Sequence, residues 1–169
     1  MTGTPGAEKI NSSKRMMIHA TGVGALSFDP NKSDIPEDAA QALTEALDRA
    51  GTRQTCGEGM ALFQQGQPGY GVLVLRSGRV GLFVSSADGS TRLPYRTVGP
   101  GCELGLPALF SGKTFGLTAE ALEECEFSLV PREAALKLMR DRLYLCLQAA
   151  SQMASEITAL GLTVGGKLG

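Results

Sequence analysis

The chain has 169 residues, 43% hydrophobic and 20% charged, which is enough for one compact domain burying roughly 70% of its unfolded surface and too apolar for wholesale disorder. A formal net charge of -1 leaves no basic excess to neutralise a row of phosphates and argues against nucleic-acid binding. No run approaches the ~20 apolar residues of a membrane span and the N-terminus lacks a signal peptide's apolar stretch, so a cytoplasmic protein without membrane contact is expected.

Residues 1–34 mix Gly, Ser, Thr, Lys and Asn around one apolar patch, Met16-Met17-Ile18, and read as a flexible N-terminal arm. From Asp34 the text changes. Asp34-Ile35-Pro36-Glu37-Asp38 supplies a cap, an early proline and first-turn acids, and Ala39, Ala42, Leu43, Ala46 and Leu47 follow at helical spacing. A helix is predicted over about 36–50, ended by Gly51. Glycine is unusually abundant, 22 of 169 residues, against an average near 7%. Thirteen of these glycines lie between Gly57 and Gly116. They divide short β-rich pieces: Met60-Ala61-Leu62-Phe63, Val72 to Leu75, Val80 to Val84 and Arg92 to Val98. Ser77-Gly78 and Asp88-Gly89 have the composition of hairpin turns, and strand signals resume at Phe115 to Leu122 and Cys125 to Val130. This spacing predicts an antiparallel sandwich or barrel over about 55–130.

After Pro131 the period changes. Met139, Leu143, Cys146, Ala150, Met153, Ile157 and Leu160 succeed one another at alternating steps of four and three, a heptad seam. One long helix is predicted over about 132–160, ended by Gly161, Gly165 and Gly166, with a tail over 162–169. Leu136, Leu138, Leu145 and Leu147 lie off the seam, so a second edge of the helix must pack on the β section. The economical reading gives one edge to the domain and one to a second copy, making a homodimer.

The remaining chemistry is sparse. Cys56, Cys102, Cys125 and Cys146 contain no C-x-x-C pair and His19 is the single histidine, so neither a metal nor another cofactor is expected. Ser111-Gly112-Lys113-Thr114 imitates the end of a phosphate-binding P-loop, but Pro107 stands where that loop requires glycine. Glu123, Glu124 and Glu126 read as a solvated turn, and no nucleophile has a histidine base, so an enzyme is not expected.

The order helix, glycine-punctuated β section and seamed helix resembles the cyclic-nucleotide-binding β-roll, a double-stranded β-helix or jelly roll, of the catabolite activator and Fnr regulator family. The similar stretches are Leu62-Phe63-Gln64-Gln65-Gly66-Gln67, Val72 to Val80, Val98-Gly99-Pro100-Gly101-Cys102-Glu103-Leu104-Gly105-Leu106-Pro107-Ala108-Leu109, and Ser151-Gln152-Met153-Ala154. They imply a cyclic-nucleotide-binding-like domain over 35–161. In nucleotide-binding members a Gly-Glu step opens a short helix whose carboxylate takes the ribose 2′-hydroxyl, and a later arginine pairs with the cyclic phosphate. Here Gly105 matches the glycine, Leu106 stands at the acid, and Phe115 or Gly116 stands at the arginine. Pro107 also lacks an N–H to offer an anion.

The resemblance therefore implies a regulatory, sensory module with a degenerate cassette, made of Gly105, Leu106, Pro107, Ala108, Phe115, Gly116 and Leu117, that does not bind cyclic AMP in the ordinary way. An alternative alignment places Glu103 at the acid and Lys113 at the arginine and keeps true nucleotide binding open. The other alternative is a ligand-free interaction module that pairs with a full-length regulator of the same family. The helix-turn-helix of such regulators would follow the dimer helix, where nine residues, Gly161 to Gly169, remain, so direct DNA binding is not expected. Cys146, on the seam, could oxidise across a dimer axis, and Cys102 could serve as a haem or nitric-oxide ligand. Reduced, packed thiols are the simpler expectation for both.

Overall fold

The structure, a computed structural model, describes the backbone of residues 38–167 and the side chains of residues 38–159. The expected N-terminal arm, its apolar patch, His19 and the expected start of the first helix lie outside the described residues. So do the side chain of Leu160 and the last two residues of the tail.

Helix α1, Ala39–Ala50, buries Ala39, Leu43 and Leu47 at spacings of four along one face. Eight strands follow: β1 Thr52–Cys56, β2 Ala61–Phe63, β3 Gly71–Ser77, β4 Val80–Ser85, β5 Arg92–Val98, β6 Glu103–Leu104, β7 Thr118–Ala121 and β8 Cys125–Pro131. They form two antiparallel four-stranded sheets, ordered β1-β8-β3-β6 and β2-β7-β4-β5. Helix α2, Leu106–Ser111, interrupts the strands, and α3, Arg132–Asp141, and α4, Leu143–Lys167, follow them. This is the expected β-roll with flanking helices. The predicted strands fall where they were expected, while β1 and the two-residue β6 are additions.

Two apolar clusters hold the domain. One lies between the sheets and includes Phe63, Leu73, Leu75, Leu82, Leu104, Phe115 and Phe127. The other lies between the first sheet and the helices and includes Leu43, Leu47, Val72, Val74, Leu109, Met139 and Leu145. Strand β3 feeds both. Successive side chains of a strand point to opposite faces, so Leu73 and Leu75 enter the first cluster while Val72 and Val74 enter the second. Asp48 of α1 ties the helix to the sheet by accepting hydrogen bonds from Arg76 and from the buried Ser128 hydroxyl. Arg76 also reaches Glu126 at 3.2 Å.

The single helix predicted over 132–160 is two helices. Arg142, at φ -137° and ψ 90°, separates α3 from α4. A straight helix advances about 100° per residue, so Met139 and Leu145 would face directions about 120° apart. The break rotates α4 until both side chains are buried, at 4% and 0% exposure. At its other end α4 runs through Gly161, Gly165 and Gly166 to Lys167 instead of stopping at the first glycine; helix interiors accept such residues at a modest cost. Among the described residues no helix is long and apolar enough to cross a membrane.

Candidate functional site

The cassette is built by two backbone constraints. Gly105 precedes α2 with φ +98°, and a Cβ added there would stand 2.8 Å from the Gly71 carbonyl oxygen and 3.1 Å from the Phe115 ring. Only glycine lets the chain pass so close to β3 and turn into the helix. Pro107 then occupies the first turn, where its missing N–H costs no helical bond. At the other end of α2, Arg132 donates to the carbonyl oxygens of Ala108 and Leu109, at 3.3 and 2.8 Å.

A cavity of about 200 Å³ opens between the cassette, the second sheet and α4. Phe63, Leu82, Leu104, Phe115 and Leu117 supply its apolar wall, and Gly105, Pro107, Ala108 and Gly116 its cassette side. Phe115 is 2% exposed, stacked on Phe63 with centroids 4.1 Å apart and edge-on to Tyr70 at 5.2 Å. The Tyr70 hydroxyl donates to the Leu62 carbonyl at 2.6 Å. Phe115, one of the two residues that the resemblance sets at the arginine position, is thus held between two aromatic rings.

Leu106 packs with Leu109, Leu145 and Ala149 in the helical cluster and lines not this cavity but the adjoining groove, with Arg96, Glu103, Pro107 and Glu156. Residues three apart share a helix face, so Leu106 and Leu109 turn together toward the helices. Glu103 and Lys113, the alternative anion contacts, are also not brought together. Glu103 lines the cavity, whereas Lys113 lines a separate groove with Pro68, Gly69 and Arg132.

Three polar residues at the cavity were missed in the sequence: Tyr95 and Arg96 from β5, and Glu156 from α4. Arg96 and Glu156 form an ion pair at 2.6 Å, joining the roll to α4 across the opening. Burial, the leading cause, pushes the Glu103 carboxyl above its ordinary range, while hydrogen bonds from Thr44 of α1 and Gln152 of α4 pull it back. Glu103 is therefore a junction between two helices and the sheet, its carboxyl accepting hydrogen bonds from both helices. Burial also drives the Cys102 thiol up to about 11, which keeps it protonated at neutral pH. Among the described residues no three His, Cys, Asp or Glu side chains converge as a metal site would require.

The expected dimer seam is divided by the break. Met139 is core and belongs to α3. Cys146 and Met153 pack partly against the domain, whereas Leu143 and Ile157 are 68% and 70% exposed and Ala150 is exposed. Together with Leu147 and Ala154, both exposed, these residues form an outward edge at 143, 147, 150, 154 and 157. That edge keeps the alternating steps of four and three but is rotated from the predicted line.

No curated protein matches the chain in sequence. Among solved structures, the catabolite activator protein of Thermus thermophilus is similar at 22% identity and TM-score 0.65, covering 79% of this chain and 60% of its own. A transcriptional regulator from Thermotoga maritima matches at 19% identity and TM-score 0.62, covering 71% and 93%. The sensor domain of the transcriptional regulator DNR from Pseudomonas aeruginosa matches at 18% identity and TM-score 0.59, covering 71% and 87%. The chain thus spans less than two thirds of the Thermus protein's length. At these identities the likeness is one of fold. The family model described as cyclic nucleotide-binding domain matches residues 53–142, more than half of the chain and all but the first residue of the roll, and the chain belongs to that family.

Proposed function

We propose that the chain is a regulatory module of the family whose cavity takes a small amphipathic molecule with an anionic end in place of cyclic AMP, and that it works as a homodimer through α4. The observation that carries this reading is the fate of the two anchor positions: Leu106 is turned into the helical cluster and Phe115 is stacked on Phe63. Losing a charge-assisted partner from a buried anion site costs ~2–5 kcal/mol, or about 30-fold to several-thousand-fold in affinity. The charged groups at the cavity are Arg96, Glu103 and Glu156; Arg96 is the one cation among them and is paired with Glu156, so an acid whose apolar body lies against Phe63 and Phe115 binds by exchanging with the Glu156 carboxylate for Arg96.

Thermal melting with a panel of cyclic AMP, cyclic GMP, benzoate and phenylacetate tests the ligand. A true ligand at about 100 times its dissociation constant adds ~2.7 kcal/mol, which for a domain of this size raises the melting temperature by roughly 5–10 °C. We expect no such shift with micromolar cyclic nucleotide; a full shift would return the protein to ordinary nucleotide binding. Light scattering tests the dimer, and Ile157→Asp on the exposed edge is expected to convert it to monomer. A wild-type monomer at high concentration refutes the homodimer. The outward edge of Leu143, Leu147 and Ile157 also favours a second reading, a ligand-free module that pairs with another regulator of the family, and this reading gains if no small molecule stabilises the protein.

A further inference from the structure

The ladder sets one pair of thiols face to face. Cys56 closes β1, Cys125 opens β8, and the antiparallel register places them directly opposite each other. Directly opposed side chains project to the same face, and their Cα atoms stand about 4.5–5.5 Å apart, within the range of about 4.4–6.8 Å that a disulfide bridges. Both thiols are free, and both belong to the cluster between the sheets. Their surroundings differ. Cys56 ends an edge strand and is followed by the turn to Met60, which is 61% exposed; its Sγ lies 3.7 and 3.6 Å from the carbonyl oxygens of Gly57 and Met60, so opening of this turn is the shortest path by which an oxidant reaches it. Cys125 is enclosed: its Sγ donates to the carbonyl oxygens of Glu123 at 3.2 Å and Arg79 at 3.4 Å, and Gly78 packs so closely that a Cβ there would stand 2.6 Å from the sulfur.

We propose that Cys56 and Cys125 form a reversible cross-strand disulfide, an oxidation site that locks the edge strand β1 onto β8. The oxidant class is a peroxide. The Cys56 thiolate attacks the peroxide O–O bond, giving a sulfenic acid and releasing water. The Cys125 sulfur then attacks the sulfenic sulfur, the S–S bond forms, and a second water leaves, so two thiols and one hydrogen peroxide yield one disulfide and two waters. Burial raises both thiols above their ordinary range, which slows attack on a peroxide. The proposal is independent of what occupies the cavity. It moves the redox chemistry from Cys102 and Cys146 to a pair that neither spacing nor motif joins in the sequence.

Treatment of the folded full chain with hydrogen peroxide, followed by thiol counting and peptide mass mapping, is the test. The expected result is loss of two of the four thiols, a linked Cys56–Cys125 peptide, a melting temperature raised by on the order of 10 °C, and reversal of all three by dithiothreitol. The Cys102→Ala/Cys146→Ala variant is expected to respond as wild type, and Cys56→Ala to lose the link. Should the Cys56 variant not fold, the wild-type peptide map still decides the matter. A disulfide through Cys102 or Cys146 in its place, or a Cys56–Cys125 link that forms only after unfolding in urea, overturns the proposal.

Discussion

Strands β3 and β5 each have seven residues, yet their surroundings are opposite. The first five residues of β3 are buried, whereas in β5 only Val98 is. Strand β3 lies inside its sheet with the helical cluster on one face and the sandwich core on the other. Strand β5 lies at the edge of the second sheet, accepts Pro94 beside an irregularity in its pairing with β4, and leaves Leu93 60% exposed. The buried strand fixes the scaffold, and the exposed strand presents Tyr95 and Arg96 to the cavity. Composition and covering agree: the apolar β3 is covered on both faces, whereas the mostly polar β5 is left exposed.

The contrast can be attacked first at Leu73, which is 1% exposed. Leu73→Ala is expected to cost about 3 kcal/mol in urea unfolding, and a loss below about 1 kcal/mol would show that β3 is not the scaffold. Next comes the polar tie that holds α1 to the same sheet. Hydrogen bonds from Arg76 and Ser128 hold the Asp48 carboxyl below its ordinary 3.8. The native state therefore binds this proton less readily than the unfolded chain, so the contribution of Asp48 is present above about pH 4 and fades as pH falls through its native pKa. Asp48→Asn is expected to cost about 1–2 kcal/mol at pH 7 and progressively less as the solution is acidified below pH 4; an undiminished gap at pH 3 would contradict the tie. The smallest effects belong to β5. Leu93→Ala and Arg96→Gln are each expected to change stability by less than about 0.5 kcal/mol, while Arg96→Gln also weakens whatever benzoate binding the melting panel detects. A large loss of stability from either would erase the distinction between scaffold and presenting strand.

The same contrast explains what could be read in advance. Val72-Leu73-Val74-Leu75 is recognisable because a strand buried on both faces is a continuous apolar run, and the turns at Ser77-Gly78 and Asp88-Gly89 carry their own local chemistry. Strand β1, Thr-Arg-Gln-Thr-Cys, is exposed in four of its five residues and has no such pattern; only pairing with β8 makes it a strand. The break at Arg142 has no proline or glycine to announce it, because it answers a mismatch of phase between Met139 and Leu145. Gly105, Pro107 and Phe115 were legible by resemblance, but the meeting of Arg96 with Glu156 depends on where α4 lies, and the facing of Cys56 and Cys125 depends on strand register. Neither leaves a local signal.

The discontinuity at Arg142 also has a mechanical consequence. With its 25 residues, α4 is about 37 Å long; taken as a rod with its pivot at the break, it is touched near its middle by Arg96 through Glu156. A tilt of roughly 10° about the pivot would carry the far tip some 6 Å, taking the length from the helical rise. Glu156 stands about 20 Å along the arm, so the same tilt moves the ion pair by about 3 Å, and movement at the pair is roughly doubled at the far end of α4.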